Sequence, residues 1–327
     1  MKNILLTGGL GYIGSKFIEL YSEKFEITVL DTNYFHGKVS QKVKVIDKDV
    51  RHISISDLEN IDFVIHMAEL SNDPLGEFNS DLTYKINHLA TKKLIALCEK
   101  AKIKKFIYMS SCSVYGKTLK LVNEESKVNP LTNYAIQKVN NENFIIENNF
   151  ETEIIILRNA TVYGYSRNLR LDLVINDLTY NGVLNNKIIL TSDGTPQRPF
   201  VHVSDLVGII YEIIKSDLNL NKEIINIGSK KLNYSIIEVA NIIKELLNIE
   251  NITIGKKDKD QRSYDVDFSK LTQLLPNYKF KYNLRNGILD LIKNINTYST
   301  PIYPNRIEAI KSQLKNKKLD KDLYWIQ

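Results

Sequence analysis

The stretch TGGLGYIGS at residues 7–15 constrains the fold most, because it puts closely spaced glycines between an apolar run and a segment of helical periodicity. Gly8, Gly11 and Gly14 mark a tight strand-to-helix turn, and Gly9, Gly11 and Gly14 satisfy G-x-G-x-x-G equally well, so the register stays open. Such a turn brings the backbone close to a pyrophosphate, and the helix N-terminus offers unpaired N–H groups to its oxygens. The loop predicts the start of a dinucleotide-binding domain.

The acid at the end of the second apolar run supports that interpretation. EITVLD ends at Asp31, about 20 residues after the glycine loop, where the dinucleotide fingerprint requires an acid. A carboxylate there accepts hydrogen bonds from the adenosine ribose hydroxyls and repels a 2′-phosphate, which favours NAD over NADP. The alternative for Asp31 is an ordinary capping or loop acid. Asp49, after the third apolar run, is either an adenine contact or a plain loop acid.

Apolar runs alternate with helical segments through the first half of the chain, which indicates β-α-β units and a buried parallel sheet. We predict an α/β fold with a Rossmann-type doubly wound sheet in residues 1–165, to which 198–228 return. A smaller C-terminal substrate-binding lobe takes 166–197 and 229–327. The six strand segments expected before residue 165 are 3–8, 26–31, 42–50, 61–68, 104–111 and 151–164.

Composition excludes several classes of protein. The 327 residues are 43% hydrophobic and 25% charged, as in a globular chain with a real core. Two cysteines, Cys98 and Cys112, argue against a disulfide framework and for a reducing cytoplasm. No apolar run approaches the ~18 residues of a membrane span, and no secretory signal is recognisable. A pI of 8.9 raises nucleic-acid binding, but the lysines are scattered outside the tail. Neither a nucleic-acid nor a membrane partner is expected.

Tyr134 and Lys138 lie four residues apart, so they share one face of a predicted helix. A nearby ammonium favours the phenolate and lowers the pKa of a phenol from its usual ~10. Tyr134 can then accept a proton from a substrate hydroxyl while a hydride leaves the same carbon. Ser111, at the end of the preceding strand, would hold the substrate oxygen. The spacing alone is weak evidence, and its weight comes from the dinucleotide loop upstream.

The order of TGGLGYIGS, HMAEL, SSCSVYG, YAIQK, LRNATVYG and DGTPQRPFVHVSDL resembles the extended short-chain dehydrogenase/reductase superfamily, and within it the nucleotide-sugar epimerases and dehydratases. The resemblance runs from residue 1 to about 270. It implies Ser111, Tyr134 and Lys138 as catalytic residues, NAD as cofactor, and no metal. The expected cofactor contacts are Gly8, Gly11, Tyr12, Ile13, Gly14, Asp31, Asp49, Val50, Met67, Ala68, Asn87, Tyr134 and Lys138.

Two positions in this set need comment. Glu69 ends a turn, beginning at His66, that resembles the family's cofactor-facing H-x-A-A turn, and it stands where alanine is usual. The sequence offers no role for this acid. Asn87 resembles an asparagine that braces the family's central sheet, and a plain surface residue is the alternative.

The loop after Ser111 helps to choose the reaction. By resemblance, 4,6-dehydratases carry Asp-Glu directly after the catalytic hydroxyl residue, where this chain has Cys112 and Ser113, so dehydration is disfavoured. The 3,5-epimerases place a cysteine acid at the position of Ser113, and the plainer interpretation of Cys112 is a small buried residue. Reversible hydride transfer at C4 remains, which makes a 4-epimerase. Net oxidation by a C4-dehydrogenase is the alternative, and a catalytically silent scaffold is the non-enzymatic one.

The resemblance also implies contacts for a nucleoside-diphosphate sugar. A guanidinium fork matches phosphate oxygens, so Arg198 and Arg262 are the expected diphosphate ligands. A structural salt bridge is the alternative for Arg198, and Lys256 or Lys257 for Arg262. Arg170 and Asn176 are either nucleotide contacts or helix-surface residues. The full set of expected substrate contacts is Ser71, Asn72, Ser111, Cys112, Ser113, Thr161, Arg170, Asn176, Arg198, Arg262 and Tyr264.

The predicted helices 82–101 and 134–148 carry apolar stripes, which in the resembling family pair with their copies. We therefore predict a homodimer, with packing inside the monomer as the alternative. The final segment, from residue 301, has no clear family counterpart, but its Tyr324, Trp325 and Ile326 suggest that it docks. A cell-surface polysaccharide pathway is the implied setting. The sequence names neither the nucleotide nor the sugar.

Overall fold

The computed structural model of the chain describes residues 1–39, 41–71, 73–255, 262–295 and 306–326. Its strands are β1 (Lys2–Thr7), β2 (Phe25–Asp31), β3 (Lys44–Asp47), β4 (Phe63–His66), β5 (Lys105–Ser111), β6 (Lys117–Val122), β7 (Glu153–Asn159), β8 (Thr161–Tyr163), β9 (Ile188–Leu190), β10 (Gln197–His202), β11 (Ile224–Ile227), β12 (Asn233–Ser235), β13 (Ile252–Ile254) and β14 (Ser263–Val266). Its α-helices are α1 (Tyr12–Tyr21), α2 (Asp73–Gly76), α3 (Ser80–Thr83), α4 (Ala90–Lys100), α5 (Asn133–Glu147), α6 (Val174–Asn185), α7 (Val203–Lys215), α8 (Ile236–Leu247), α9 (Ser269–Leu274), α10 (Leu284–Ile295) and α11 (Arg306–Lys315).

A seven-stranded sheet in the order β11-β7-β5-β4-β1-β2-β3 forms the centre, and every neighbouring pair is parallel. Strands covered on both faces need near-continuous apolar residues. The four residues of β4, FVIH, are all buried, as are six of the seven in β5. The predicted doubly wound α/β fold is confirmed. Its strand order reverses between β1 and β4, which opens a crevice at the carboxyl ends of these strands.

Helices cover both faces of the sheet. One face packs on α1 and α7 through side chains such as Phe17, Leu206 and Ile210. The other face packs on α4 and α5 through Leu94 and Ile145, among others. A π-helical turn, Tyr84–Leu89, connects α3 to α4, so the predicted long helix is present with an irregular start.

Two predicted strands differ in extent from the structure. Residues 151–164, predicted as one strand, form β7 in the main sheet and β8 in a separate sheet of order β12-β10-β8. The predicted strand 42–50 stops at Asp47, because Asp49 accepts the Arg51 N–H and begins a 3₁₀ turn instead.

Smaller sheets pair β13 with β9 and β14 with β6, and α6, α8 and α10 pack around the apolar cluster that includes Ile175, Val239 and Ile288. The segment predicted to return to the first domain supplies β11, which lies beside β7 in the main sheet. The limits of the two lobes stay a prediction.

The C-terminal segment 306–326 folds back onto the carboxyl ends of β2 and β3. Ile310 and Leu323 are fully buried in the cluster that also holds Leu30 and Val50. Across the described ranges, no helix has both the length and the apolar character needed to cross a bilayer.

Candidate active site

A cavity of about 650 Å³ opens at the carboxyl ends of the sheet strands and reaches into the smaller lobe. Its lining includes the glycine loop beside the main sheet, and Arg198 and Arg262, which lie on β10 and directly before β14 in the smaller sheets. Most of the residues expected from the sequence line it: Gly8, Gly11, Tyr12, Ile13, Gly14, Asp31, Asp49, Val50, Met67, Ala68, Ser71, Ser111, Ser113, Tyr134, Lys138, Thr161, Arg170, Arg198, Arg262 and Tyr264.

The glycine loop is held too tightly for side chains. Gly8 has a φ of +72°, and a Cβ there would lie 2.8 Å from the Ala68 nitrogen. A Cβ on Gly14 would lie 2.5 Å from the Gly9 carbonyl oxygen. Helix α1 follows Gly11, which contributes no side-chain cap, so its first N–H groups are left for a ligand. This cradle fits the pyrophosphate of a dinucleotide.

Asp31 ends β2 beside this loop. Its carboxylate accepts hydrogen bonds from the Leu10 N–H at 3.0 Å and the Asn33 N–H at 2.7 Å, and burial raises its pKa. Asp31 therefore stabilises the loop by accepting backbone N–H groups, which was the alternative role considered for it as a capping or loop acid. It also lines the cavity, where a ribose hydroxyl can reach it.

Asp49 lines the same end of the cavity, but Arg51 holds its carboxylate. The Arg51 guanidinium donates to the two oxygens of Asp49 at 2.9 and 2.7 Å, and the Tyr34 hydroxyl oxygen lies 3.2 Å from one of them. An adenine contact by Asp49 must therefore share a carboxylate that Arg51 already uses. Arg51 was not singled out by the sequence, although it follows Asp49 by two residues.

Tyr134 and Lys138 lie on the first turns of α5. The Thr132 hydroxyl caps this helix by accepting the Ala135 N–H at 3.2 Å. The absence of a side chain at Gly76 permits close packing, since a Cβ there would lie 2.9 Å from the Tyr134 Cβ. The Lys138 ammonium lies 5.3 Å from the centre of the Tyr134 ring. At the end of β5, the Ser111 hydroxyl accepts the Ser113 N–H at 3.1 Å. The triad residues thus border one cavity.

The Lys138 ammonium forms an ion pair with Glu69 and donates a hydrogen bond to the Met109 carbonyl. The Tyr108 hydroxyl donates to the other Glu69 oxygen at 3.0 Å. The Glu69 and Lys138 side chains are only 3% and 4% exposed. Burial opposes the charge of Lys138, but Glu69, together with Tyr134 and Glu142, outweighs burial and raises the pKa of Lys138. Glu69, for which the sequence offered no role, is thus the ion-pair partner of Lys138.

Arg198 and Arg262 meet at the far end of the cavity. The Arg198 guanidinium donates hydrogen bonds to the Arg262 carbonyl and, at 2.8 Å, to the Gln197 carbonyl. It lies 5.5 Å from the centre of the Tyr264 ring. These backbone contacts fix the guanidinium over an aromatic wall, an arrangement suited to phosphate oxygens.

The model of the NAD dependent epimerase/dehydratase family matches residues 4–228. The chain belongs to this family. The proteins similar to it include nucleotide-sugar epimerases, dehydratases and dehydrogenases, and the protein is an NAD-dependent enzyme of this family.

Three relatives illustrate the range. A Methanocaldococcus jannaschii protein assigned as a UDP-glucose 4-epimerase is 28% identical over 87% of this chain and 95% of its own. The GDP-6-deoxy-D-talose 4-dehydrogenase of Aggregatibacter actinomycetemcomitans is 25% identical over 89% and 97%. The Bacillus cereus UDP-glucuronic acid 4-epimerase, solved with UDP-glucuronic acid and NAD, gives a TM-score of 0.80 at 25% identity, over 90% and 99%.

Three expected site residues of this epimerase/dehydratase family member lie away from the cavity lining. Cys112 is buried with its thiol donating to the Arg158 carbonyl at 3.2 Å. Asn176 is buried, accepting the Gly164 N–H at 3.0 Å and donating to the Arg170 carbonyl at 3.1 Å. Their side chains are used inside the fold, so we do not carry them forward as substrate contacts.

Asn87 is the third. Its amide accepts the Leu70 N–H at 2.8 Å and donates to the Leu70 carbonyl at 3.2 Å, so it braces the turn that carries Glu69. It is fully buried, and its effect on a cofactor would be exerted through that turn. The expected contact at Asn72, and the alternatives Lys256 and Lys257, lie outside the described residues.

The sequence also missed a cavity residue at the start of α11. Arg306 lines the cofactor end of the cavity, 235 positions after Ser71, to whose hydroxyl it donates a hydrogen bond. No local pattern marks it, because only the docking of the C-terminal segment brings it there. Asp172, paired with Arg170 at 2.9 Å, was likewise not predicted.

Proposed function

We propose that the protein is an NAD-dependent nucleotide-sugar 4-epimerase, which oxidises the sugar at C4 and returns hydride to the opposite face. The observation that carries the proposal is one cavity bordered by Ser111, Tyr134 and Lys138 at its middle and by the Arg198–Arg262 pair at its far end. Bound NAD supplies the acceptor and donor of the hydride.

Tyr134 is the proposed base. Its phenolic oxygen takes the proton of the C4 hydroxyl as the hydride leaves, and returns it when the ketone is reduced. The Lys138 ammonium, near the Tyr134 ring, stabilises the phenolate. The Ser111 hydroxyl, held at the strand end, donates to the substrate oxygen. The hydride and the proton that leave the sugar in the oxidation return to it in the reduction. The 4-epimerase therefore consumes no net oxidant.

Epimerisation requires the 4-ketosugar to present its other face while the nucleotide stays bound. The Arg198 guanidinium and Arg262 are the proposed anchor of the diphosphate. Tyr264, beside Arg198, forms a wall for the nucleotide or sugar. An anchor distant from the triad would allow the sugar ring to turn about the bonds that join it to the diphosphate.

A dehydratase needs an acid and a base beside C6. In the loop after Ser111, Cys112 faces away from the cavity with its thiol donating to the Arg158 carbonyl, and burial raises the pKa of that thiol. Ser113 is the neighbouring cavity residue. This supports C4 chemistry over elimination.

A C4-dehydrogenase is the second candidate, since a 4-dehydrogenase is among the relatives. The two are separated by incubating the enzyme with NAD and a panel of nucleoside-diphosphate hexoses, followed by proton NMR and mass spectrometry. A sugar of unchanged mass with an altered H4 coupling, formed with catalytic NAD, supports the 4-epimerase. A product lighter by two hydrogens, formed with one NADH each, supports the dehydrogenase. The Tyr134→Phe protein is the control for both.

We also propose a homodimer formed through the α4 and α5 surface. Tyr84 and Leu89 on the π-helical turn, and Ile136 and Ile146 on α5, are each about two-fifths exposed. Light scattering after gel filtration should give twice the chain mass, and Leu89→Asp should give the single chain. A single-chain mass for the unaltered protein would contradict the proposal.

A further inference from the structure

The C-terminal segment 306–326 is built into the cofactor end of the protein. The Gln313 amide donates to the Tyr34 carbonyl at 2.6 Å, and the Tyr34 hydroxyl donates to the Leu323 carbonyl at 2.5 Å. The Trp325 indole N–H donates to the Thr32 carbonyl at 2.6 Å. These contacts fix the segment to the loop that directly follows Asp31.

This docking aims Arg306 at the glycine loop. The guanidinium lies 4.6 Å from the centre of the Phe35 ring and donates to the Ser71 hydroxyl at 2.6 Å. It also stands 4.0 Å from the point where a Cβ on Gly11 would be. Gly11 directly precedes α1, whose N-terminus borders the cavity. The Arg306 guanidinium and the first N–H groups of α1 therefore border the same part of the cavity.

A second cation adjoins Arg306. Arg170 donates to the same Ser71 hydroxyl at 3.4 Å while pairing with Asp172. Burial, and next the charge of Arg170, lower the pKa of Arg306 to about 9. Asp172 already pairs with Arg170, so the Arg306 guanidinium and the helix N-terminus are the positive groups that favour an anionic ligand in this space.

We propose that Arg306 binds the diphosphate of NAD against the glycine loop, so that the C-terminal segment completes the cofactor site. The substrate diphosphate is the competing ligand. Its proposed anchor is Arg198 with Arg262, on the side of the smaller sheets, whereas Arg306 adjoins Gly11 of the glycine loop and the Phe35 ring. The charged groups around Arg306 are Arg170, Asp172 and Asp31, and Tyr134 is also near. The proposal depends on NAD use and not on which sugar is converted.

The test is the affinity of the full-length protein for three probes, measured by calorimetry: NAD, adenosine and UDP. Arg306→Ala should weaken NAD binding about 10- to 100-fold, as expected for the loss of a charge-assisted contact. Adenosine, which has no phosphate, and UDP, whose proposed site is the Arg198–Arg262 end, should bind as before. Arg306→Lys keeps the positive charge but loses the two-pronged guanidinium geometry. Its NAD affinity should lie between those of the unaltered protein and Arg306→Ala. Lys311→Ala, on an exposed part of the same helix, is the matched control and should change nothing.

The chain offers an independent readout. Trp325 is its single tryptophan, and it hydrogen-bonds the loop beside the cofactor site. Energy transfer from Trp325 to bound NADH should titrate at higher NADH concentration in Arg306→Ala, with unchanged transfer at saturation. Unchanged NAD affinity in folded Arg306→Ala, or a selective loss of UDP affinity, would overturn the proposal. If Arg306→Ala fails to fold, Arg306→Lys and Arg306→Gln decide by the same two measurements.

Discussion

Glu69 and Lys138 form a buried ion pair in the wall of the cavity. The pair links the turn after β4 to the face of α5 that carries Tyr134. Asn87 fixes that turn from below, and the Tyr108 hydroxyl holds the second carboxylate oxygen. The position of the lysine ammonium therefore depends on an acid for which the sequence offered no role.

A double-mutant cycle should reveal this coupling. Removing either partner alone leaves an uncompensated buried charge, so Glu69→Gln and Lys138→Met should each cost about 3–5 kcal/mol of unfolding free energy. The double variant should cost much less than the sum of the two. Urea unfolding measures all three. The exposed pair Lys85–Asp81 is the control and should couple by under about 1 kcal/mol. Additive losses at Glu69 and Lys138 would refute the pairing.

The same pair should appear in the pH profile of the enzyme. Because the Glu69 carboxylate raises the pKa of Lys138, its removal lets the ammonium lose its proton at lower pH. The alkaline limb of kcat/KM in Glu69→Gln should therefore move toward lower pH. The exposed substitution Asp81→Asn should leave the limb in place. A profile unchanged in Glu69→Gln would mean that the alkaline limb does not report Lys138.

Tyr134→Phe isolates the proton transfer. The ring and its packing against Gly76 are kept, and only the hydroxyl is lost. We expect kcat to fall about 10²- to 10⁴-fold, the usual contribution of a general acid–base group, with NAD affinity nearly unchanged. Tyr180→Phe, on α6 and outside the cavity lining, should keep full activity. Full activity in Tyr134→Phe would remove this residue from the proposed mechanism.

The sheet and the cofactor loop were predictable because their signals are local. Apolar runs of strand length predicted the buried strands, and the glycines around Gly11 predicted a turn in which Cβ atoms do not fit. The position of Asp31 at the end of β2 beside this loop was predicted from its distance of about 20 residues along the chain from the glycines. Such features are set within a few tens of residues, which is the range that periodicity and turn chemistry cover.

Other residues depend on contacts that the sequence does not encode locally. Cys112 lies between two cavity residues, yet it points inward to the Arg158 carbonyl, and adjacency in a loop does not decide direction. Asn176 was predicted to contact the nucleotide or to lie on a helix surface. Its side-chain oxygen instead accepts a hydrogen bond from the Gly164 N–H. Arg306 reaches the cofactor end only through the docking of a distant segment.

Acid should weaken the fold through His66. Its ring nitrogens share hydrogen bonds with the Thr7 hydroxyl at 2.7 Å and the Thr91 hydroxyl at 2.8 Å, joining β1, β4 and α4. Burial, and then the charge of Lys138, lower the pKa of His66 to about 3 from its usual value of 6.5. Below pH 6.5 His66 is protonated in the unfolded chain, whereas in the native protein it stays neutral down to about pH 3. The free energy of unfolding therefore decreases as the pH falls from 6.5 toward 3.

Because of His66, the free energy of unfolding should fall by about 1.4 kcal/mol for each pH unit below the pKa of the free imidazole. This amounts to about 2 kcal/mol between pH 7 and pH 5. Urea unfolding at pH 7, 6 and 5 gives the slope. His66→Asn should be less stable at pH 7 and should lose less on acidification than the unaltered protein. The exposed His36→Asn should keep the full slope. Equal slopes in His66→Asn and the unaltered protein would show that His66 does not resist protonation.

Arg198→Ala should separate the two ends of the cavity. The substitution removes a guanidinium that lies over the Tyr264 ring and donates to the Arg262 carbonyl, so it loosens the proposed diphosphate anchor. We expect affinity for the best-bound nucleoside diphosphate among UDP, GDP, dTDP and CDP to fall about 10- to 100-fold, while NAD affinity is kept. Arg306→Ala should give the reverse pattern. If Arg198→Ala instead weakens NAD and spares the nucleoside diphosphates, the assignment of the cavity's two ends is wrong, because the probes differ in which end they occupy.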